Sequence, residues 1–290
     1  MQFDYKHLRA LSAVLATGSF EQAAARLAVT PSAISQRIKV LEESVGARLV
    51  LRESPCTGTD MGLRLARHAE SVALLEAQLL DGAASVQAPS VAIAVNADSL
   101  DTWLMTALAQ VPQTRFEITL DDQDHSTELL KQGRVAAAIT ARAAPVQGCD
   151  SVALGGLRYV ATASPDFRDR WFARGVTRGS LEAAPALIFN QKDALQTTWA
   201  ARECGAAVHL SGHIIPSTHG FVGAACSGLG WGLNPEALVA EHLAKGTLVA
   251  LGQRPMLDTP LFWQVSRHVA GPLEPLTRAI RKAARASLVQ

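Results

Sequence analysis

The chain is 290 residues long, 48% hydrophobic and 18% charged; this is too long for one small domain and too apolar for extended disorder, so two or three compact units are expected. The formal net charge is +1, and residues 1–60 carry seven Lys/Arg against six Asp/Glu. Overall electrostatics therefore makes no case for nucleic acid, which must be argued from where the charges sit.

Asp4 to Ala16 reads as a helix, with Leu8, Leu11, Val14 and Leu15 on one face and Gly18 as its stop. Ser19-Phe20-Glu21-Gln22 announces a second helix through a capping box, Ser19 holding the Gln22 amide and the Gln22 side chain reaching back. Its alanines allow close helix packing, and it stops near Ala28-Val29. Thr30 as N-cap and Pro31 in the first turn open a third helix. Ile34, Ile38, Leu41 and Val45 form its core stripe. Ser32, Gln36 and Lys39 lie opposite, flanked by Ala33, Ser35 and Val40. Arg26, Arg37 and Lys39 put three positive and no negative charges into residues 26–40. Two short helices with a tight turn and an open polar face are how a major-groove reader is built; a three-helix bundle with a merely solvated face remains the other reading. Gly46 ends the helix, Arg48 to Arg52 suggests the first strand of a β-wing, and Pro55 to Gly58 its tip.

The run SFEQAAARLAVTPSAISQRIKVLEESVGARLVLR resembles the N-terminal segment of the LysR-type transcription regulators. Small residues and glutamine precede Ser35 to Ile38, then come Leu41-Glu42, Gly46 and a strand from Leu49 to Arg52. The resemblance implies binding to double-stranded promoter DNA, with groove contacts from Pro31, Ser32, Ala33, Ser35 and Gln36 and a wing at Arg52 to Thr57. Thr30, Arg37, Lys39 and Arg52 complete the expected contact set. Glu53 departs from the family's usual small polar residue, and its charge opposes a phosphate contact there.

Thr59-Asp60 starts a linker helix in which Leu65, Val72 and Leu79 stand seven apart, with Leu75 filling the seam once and His68 and Gly82 weakening it. Packing on its own domain is equally consistent with that pattern. The resemblance favours pairing of two DNA-binding heads, hence a homodimer or homotetramer. Ala83 to Ser90 is a small-residue linker.

From Val91 the texture is βαβ. Strands are expected at 91–95, 116–120, 135–140 and 159–163, then at 186–189, 208–215, 229–233 and 261–266. Helices are expected at 104–111, 127–132, 195–203, 221–227, 235–241 and 272–288. In the last of these Arg278, Arg281, Lys282 and Arg285 form a solvated face. The expected fold is α/β with an N-terminal winged helix-turn-helix and a two-lobed, periplasmic-binding-protein-like effector domain. Its divisions are 1–59 for the DNA-binding domain, 60–86 for the linker helix, 87–163 with 267–290 for the first lobe and 164–266 for the second. Ligands of open α/β sheets lie beyond the carboxyl ends of strands. That directs attention to Asn96 to Ser99, to the acids Asp121, Asp122 and Asp124, and to Pro216 to Gly220. A helix start facing carboxylates suits a zwitterion with a further positive group.

Val95 to Leu100 with Thr102-Trp103, Pro216 to Phe221, and the opening Tyr5, Leu8 and Leu11 resemble the ArgP/LysG subgroup. This implies a lysine or arginine effector, control of a basic amino acid exporter gene, and effector contacts from Asp98, Ser99, Asp122, Asp124, Thr140, Thr218 and His219. RNA polymerase is a further partner under this reading.

Cys56, Cys149, Cys204 and Cys226 are scattered and read as free thiols. His209 and His213 lie in a segment read as strand, VHLSGHII, too far apart to share a metal, so no metal and no cofactor are expected. No run nears the ~18 apolar residues of a membrane helix, and MQFDYKHLRA lacks a signal pattern, so a cytoplasmic location without a membrane partner is expected. Gly228 to Gly232 lacks the strand-to-helix context of a nucleotide loop, and no GxSxG or Walker motif occurs, so an enzyme is not expected. The competing reading is an architectural or replication-origin DNA-binding protein without effector control.

Overall fold

Asp4 begins the first helix, α1 (Tyr5–Thr17), by accepting the Lys6 N–H at 2.8 Å. The computed structural model describes residues 3–79, 90–120 and 125–290. Ser19 caps α2 (Phe20–Arg26) through the Gln22 N–H at 3.3 Å. The reciprocal half of the expected capping box is replaced. Thr17 Oγ1 already accepts the Ser19 N–H, and the Ser19 hydroxyl donates to Glu21 at 2.8 Å. Thr30 caps α3 (Pro31–Val45) by accepting the Ala33 N–H at 3.2 Å. Ile34, Ile38 and Leu41 enter one core with Leu8, Leu11 and Val14, and Val45 packs at its margin.

The wing is short. Strands β1 (Val50–Leu51) and β2 (Thr57–Gly58) pair antiparallel, Val50 opposite Gly58. Thr57 and Gly58 therefore belong to the returning strand, and the tip is residues 52–56 rather than 55–58. Glu42 Oε1 accepts the Leu49 and Val50 N–H groups at 2.8 and 3.3 Å, tying the end of α3 to the first wing strand.

Thr59 caps α4 (Asp60–Leu79) through the Gly62 N–H at 3.1 Å. Leu65 of the expected seam turns inward: with Ala66 and Ala69 it completes the DNA-binding core against α1. That removes it from any coiled-coil stripe. Val72 is half-buried, His68 and Leu75 are exposed, and Gly82 lies outside the described residues. Arg67 ties this helix to the effector domain, donating to Glu117 from both terminal nitrogens at 2.9 Å and to Glu70 at 2.7 Å.

The effector domain holds a seven-stranded mixed sheet in the order β10-β6-β11-β5-β3-β4, with β9 also on β6. Its strands are β3 (Ser90–Val95), β4 (Arg115–Leu120), β5 (Ala137–Thr140), β6 (Cys149–Ala163), β9 (Gly232–Pro235), β10 (Val249–Ala250) and β11 (Met256–Ser266). Only the β3–β4 and β3–β5 pairs of this sheet are parallel. A parallel pair, β7 (Ala186–Ile188) and β8 (Gly212–Ile214), builds the second lobe. The expected strand at 208–215 is thus confined to three residues, and His209 precedes it.

Between β3 and β4, α5 (Ala97–Ser99) runs through a π turn (Leu100–Leu104) into α6 (Met105–Leu108). The remaining helices are α7 (His125–Lys131), α8 (Pro165–Trp171), α9 (Arg178–Ala183), α10 (Leu195–Cys204), α11 (Thr218–Cys226), α12 (Glu236–Lys245) and α13 (Glu274–Ser287). Of these, α8 and α9 had no counterpart in the sequence reading. Arg278, Arg281, Lys282 and Arg285 on α13 are exposed. The main core joins Ile93, Trp103, Tyr159, Trp199, Trp231 and Trp263.

Two strands belong to both lobes. β11 pairs with β5 at 262–265, whereas β6 pairs with β9 at 159–162. Between these points β6 and β11 form a two-stranded ribbon with a register shift at Leu261/Phe262. The chain thus crosses between lobes inside these strands, several residues before the expected crossings near 161–164 and 266–268. Gly155 permits the crossing: its φ is +116°, and a Cβ there would lie 2.5 Å from the Val289 carbonyl oxygen. Among the described residues no helix is long and apolar enough to cross a membrane.

Gly62 tests the docking of α4 on the wing. A Cβ at this position would stand 2.0 Å from the Leu49 carbonyl oxygen. Helix propensity alone makes Gly62→Ala stabilising by ~1 kcal/mol, but the backbone clash reverses the sign. The expected outcome is a net loss of about 1–3 kcal/mol in the DNA-binding domain, measured by urea unfolding; a gain in stability refutes the packing described.

Candidate nucleic-acid interface and effector cleft

The outer face of α3 is open. Pro31, Ser32, Gln36 and Lys39 are exposed, as is Thr30 before them, while Ala33, Ser35 and Arg37 are half-buried on its flanks. Lys39 has an exposed carboxylate neighbour, Glu43, 3.9 Å away, an arrangement weak enough in water to leave the ammonium available. At 15 residues the helix is about 22 Å long, enough to lie in a major groove. The wing is braced against the start of α2. The Cys56 N–H donates to the Gly18 carbonyl at 2.8 Å, and the Arg52 guanidinium sits 5.2 Å from the Phe20 ring centre. That cation–π contact holds Arg52 beside α2 while its guanidinium stays exposed. The sequence offered Ser19-Phe20 only as a helix start; its bracing role needed the folded wing.

Between the lobes lies a cleft of about 820 Å³. Its walls come from the ends of strands: Asn96, Asp98 and Asp101 after β3, Leu120 at the end of β4, and Phe189, Asn190 and Lys192 to Leu195 after β7. Pro216 to Thr218 at the start of α11, with Tyr159 and residues 257–260 of the ribbon, complete them. Asp98 connects three of these elements. Tyr159 Oη donates to its Oδ2 at 2.6 Å, and Thr218 Oγ1 donates to its Oδ1 at 3.0 Å.

Asp98 keeps part of its surface open to the cleft, but protein surrounds the carboxyl closely enough for burial to push its pKa above the ordinary value. The two hydroxyl donors oppose that rise, and the like charges of Asp193 and Asp101 add to it. Burial likewise drives the Tyr159 phenol well upward, so it stays a donor. Asp193 accepts the Phe189 and Leu195 N–H groups, each at 2.9 Å, fixing its carboxylate at the start of α10. Asp258, on the ribbon, is held by Arg158 at 2.8 and 3.0 Å, which pulls its carboxyl below the usual range.

Of the residues expected at this site, Asp98 and Thr218 line the cleft. Asp122 and Asp124 lie outside the described residues. Three others stand elsewhere. Ser99 is fully buried and is not in the cleft wall, because the helical turn after Asn96 points it into the protein. Thr140 is buried at the end of β5, where its hydroxyl exchanges hydrogen bonds with the Arg142 backbone. His219, one residue past Thr218 on α11, faces solvent. Sequence reasoning missed Asp101, Tyr159, Lys192, Asp193 and Asp258. The strand-end rule would have found Lys192 and Asp193, since they follow the expected strand at 186–189. Among the described residues no group of three potential metal ligands occurs.

A winged helix-turn-helix joined to a two-lobed domain with a ligand-sized cleft defines a ligand-responsive transcription regulator. This chain belongs to the LysR family: residues 5–63 match the bacterial regulatory helix-turn-helix protein, lysR family, and residues 84–288 match the LysR substrate binding domain. It is 41% identical to the HTH-type transcriptional regulator LysG of Mycobacterium tuberculosis, over 98% of this chain and 94% of that one. It is 40% identical to the HTH-type transcriptional regulator ArgP of Pseudomonas aeruginosa, over 99% and 98%. The crystal structure of ArgP from M. tuberculosis superimposes with a TM-score of 0.81 at 40% identity, covering 99% of each chain. Full-length LysG from Corynebacterium glutamicum with bound effector arginine does so with a TM-score of 0.67 at 35% identity, covering 99% of this chain and 100% of that one.

The raised Asp98 pKa fixes the sign of a pH effect. A carboxyl harder to ionise folded than unfolded destabilises the native state above its folded pKa, and the deficit shrinks as pH falls through that value toward the ordinary 3.8. Asp98→Asn can still accept from Tyr159 and donate to Thr218. The thermal midpoint of this variant relative to the parent is expected to rise as pH climbs from about 3.8, the ordinary carboxyl value, toward neutrality; a relative fall over that range contradicts the assignment.

Proposed function

We propose that this regulator takes a basic amino acid, lysine or arginine, in the cleft between its lobes and thereby controls a gene for basic amino acid export. The observation that carries the reading is Asp98: a carboxylate in the cleft wall held by two neutral hydroxyls and acted on by the acids Asp193 and Asp101. Such a site favours a ligand cation. The start of α11 beside it offers backbone N–H groups to a ligand carboxylate. The arginine-bound relative supports the same class.

Control follows from where Asp98 and Leu120 sit. A cation drawing on the Asp98 carboxylate competes with its bonds to Tyr159 and Thr218 and so shifts the balance between open and closed lobes. Leu120 lines the cleft, and three residues earlier on the same strand Glu117 holds Arg67 of the linker helix. Strand β4 thus runs from ligand to DNA-binding domain. Paired heads, in a homodimer or homotetramer, would read a near-palindromic operator with half-sites ~34–36 Å apart or a multiple of that spacing, and would engage RNA polymerase there.

Two measurements test this. Lysine or arginine titrated into the operator complex is expected to change its footprint or DNA bend. An unchanged complex with both favours an architectural DNA-binding protein instead. In the absence of effector, Ser32→Ala with Gln36→Ala is expected to weaken operator binding by tenfold or more, each base contact being worth ~1–3 kcal/mol, while leaving non-specific binding intact. Undiminished operator affinity would remove α3 from the groove.

A further inference from the structure

A second, much smaller cavity of about 20 Å³ shares Asp98, Phe189, Asp193, Leu195 and Thr218 with the large cleft. That volume holds one water-sized group, since a water needs ~10–15 Å³ by the same measure. Its wall also includes Gln196 and Asn234, which are 2% and 0% exposed. The carbonyl oxygens of both side chains, Gln196 Oε1 and Asn234 Oδ1, are buried without a hydrogen-bond partner. The Asn234 amide is oriented by its Nδ2, which donates to Thr162 Oγ1 at 2.9 Å. Two buried acceptors without partners are costly, and both residues line the same small cavity as Asp98.

The geometry points to an ammonium well. The cavity seats the terminal –NH₃⁺ of a lysine-class effector, its N–H groups meeting Asp98, Gln196 and Asn234, and it excludes a guanidinium. An ammonium carries three donors and no acceptor and is close to water in size. A guanidinium spreads three nitrogens around a central carbon in a plane and cannot enter a one-water space. Arginine would therefore lie with its head in the large cleft, short of the two amide oxygens. This deepens the basic amino acid reading and rests on it, adding a choice between effectors that the charge of the cleft alone does not make.

The test is calorimetric titration of the full-length protein with lysine, arginine and Nε-trimethyl-lysine, which keeps the positive charge but has no N–H on its head and is too large for the cavity. Lysine is expected to bind at least tenfold more tightly than either of the others. Gln196→Leu, checked for folding by thermal melting, is expected to weaken lysine at least tenfold and arginine less than twofold. Arginine or trimethyl-lysine binding within twofold of lysine overturns the inference and leaves the cavity as the seat of an ordered water only. If the substitution weakens lysine and arginine equally, the well is likewise refuted. Heat from neither lysine nor arginine defeats the broader effector reading itself, an outcome distinct from the loss of selectivity.

Discussion

The effector half of the molecule is organised around the Asp98 carboxylate. One oxygen is held by Tyr159 on the ribbon that joins the lobes, the other by Thr218 at the start of a second-lobe helix. A buried carboxylate is commonly paired with a cation; this one is held by two neutral hydroxyls, and the acids Asp193 and Asp101 act on it. Hydroxyl donors compensate part of the lost hydration and leave the charge itself unbalanced. The native fold thus carries a local electrostatic deficit in the cleft wall.

The DNA-binding half depends on a different economy. Its core is aliphatic and supplied by four helices with Leu49 and Val50 of the wing, while α3 and the wing are tied in place by a few polar contacts. Glu42 holds the first wing strand through two backbone amides, and Gly18 accepts from the wing at Cys56. Arg67 then joins α4 to β4 through a bidentate pair with Glu117. That pair is half-exposed and adds little to global stability. Its geometry matters more, because two parallel hydrogen bonds fix an angle as well as a distance.

How much of this was legible in the sequence depended on whether local chemistry or long-range contact decided each feature. The caps at Ser19, Thr30 and Thr59 and the stops at Gly18 and Gly46 act within one turn, and each was readable from neighbouring residues. The stripe Ile34, Ile38, Leu41 follows from the helical period alone. Leu65 did not: seven-residue spacing looks the same whether a leucine meets another chain or its own α1, and only the tertiary fold decides. Ser99 likewise could not be placed from the sequence, since the helical turn after Asn96 points it into the protein. Asp98 and Thr218 reach the cleft wall where the strand-end rule for ligand sites in α/β sheets directs attention. Tyr159 lies in the middle of a 15-residue strand, a position that rule does not reach.

The ribbon of β6 and β11 has a mechanical consequence. Lobes tied by loose loops drift freely, whereas these two are joined by paired strands whose ladder persists through the crossing. Relative movement must therefore be torsion of a hydrogen-bonded strip, concentrated at Gly155 and at the irregular step between Leu261 and Phe262. Such a strip behaves as a spring: it resists in proportion to its twist and recoils when the load is withdrawn, so departure of a ligand resets the domain without any separate energy source.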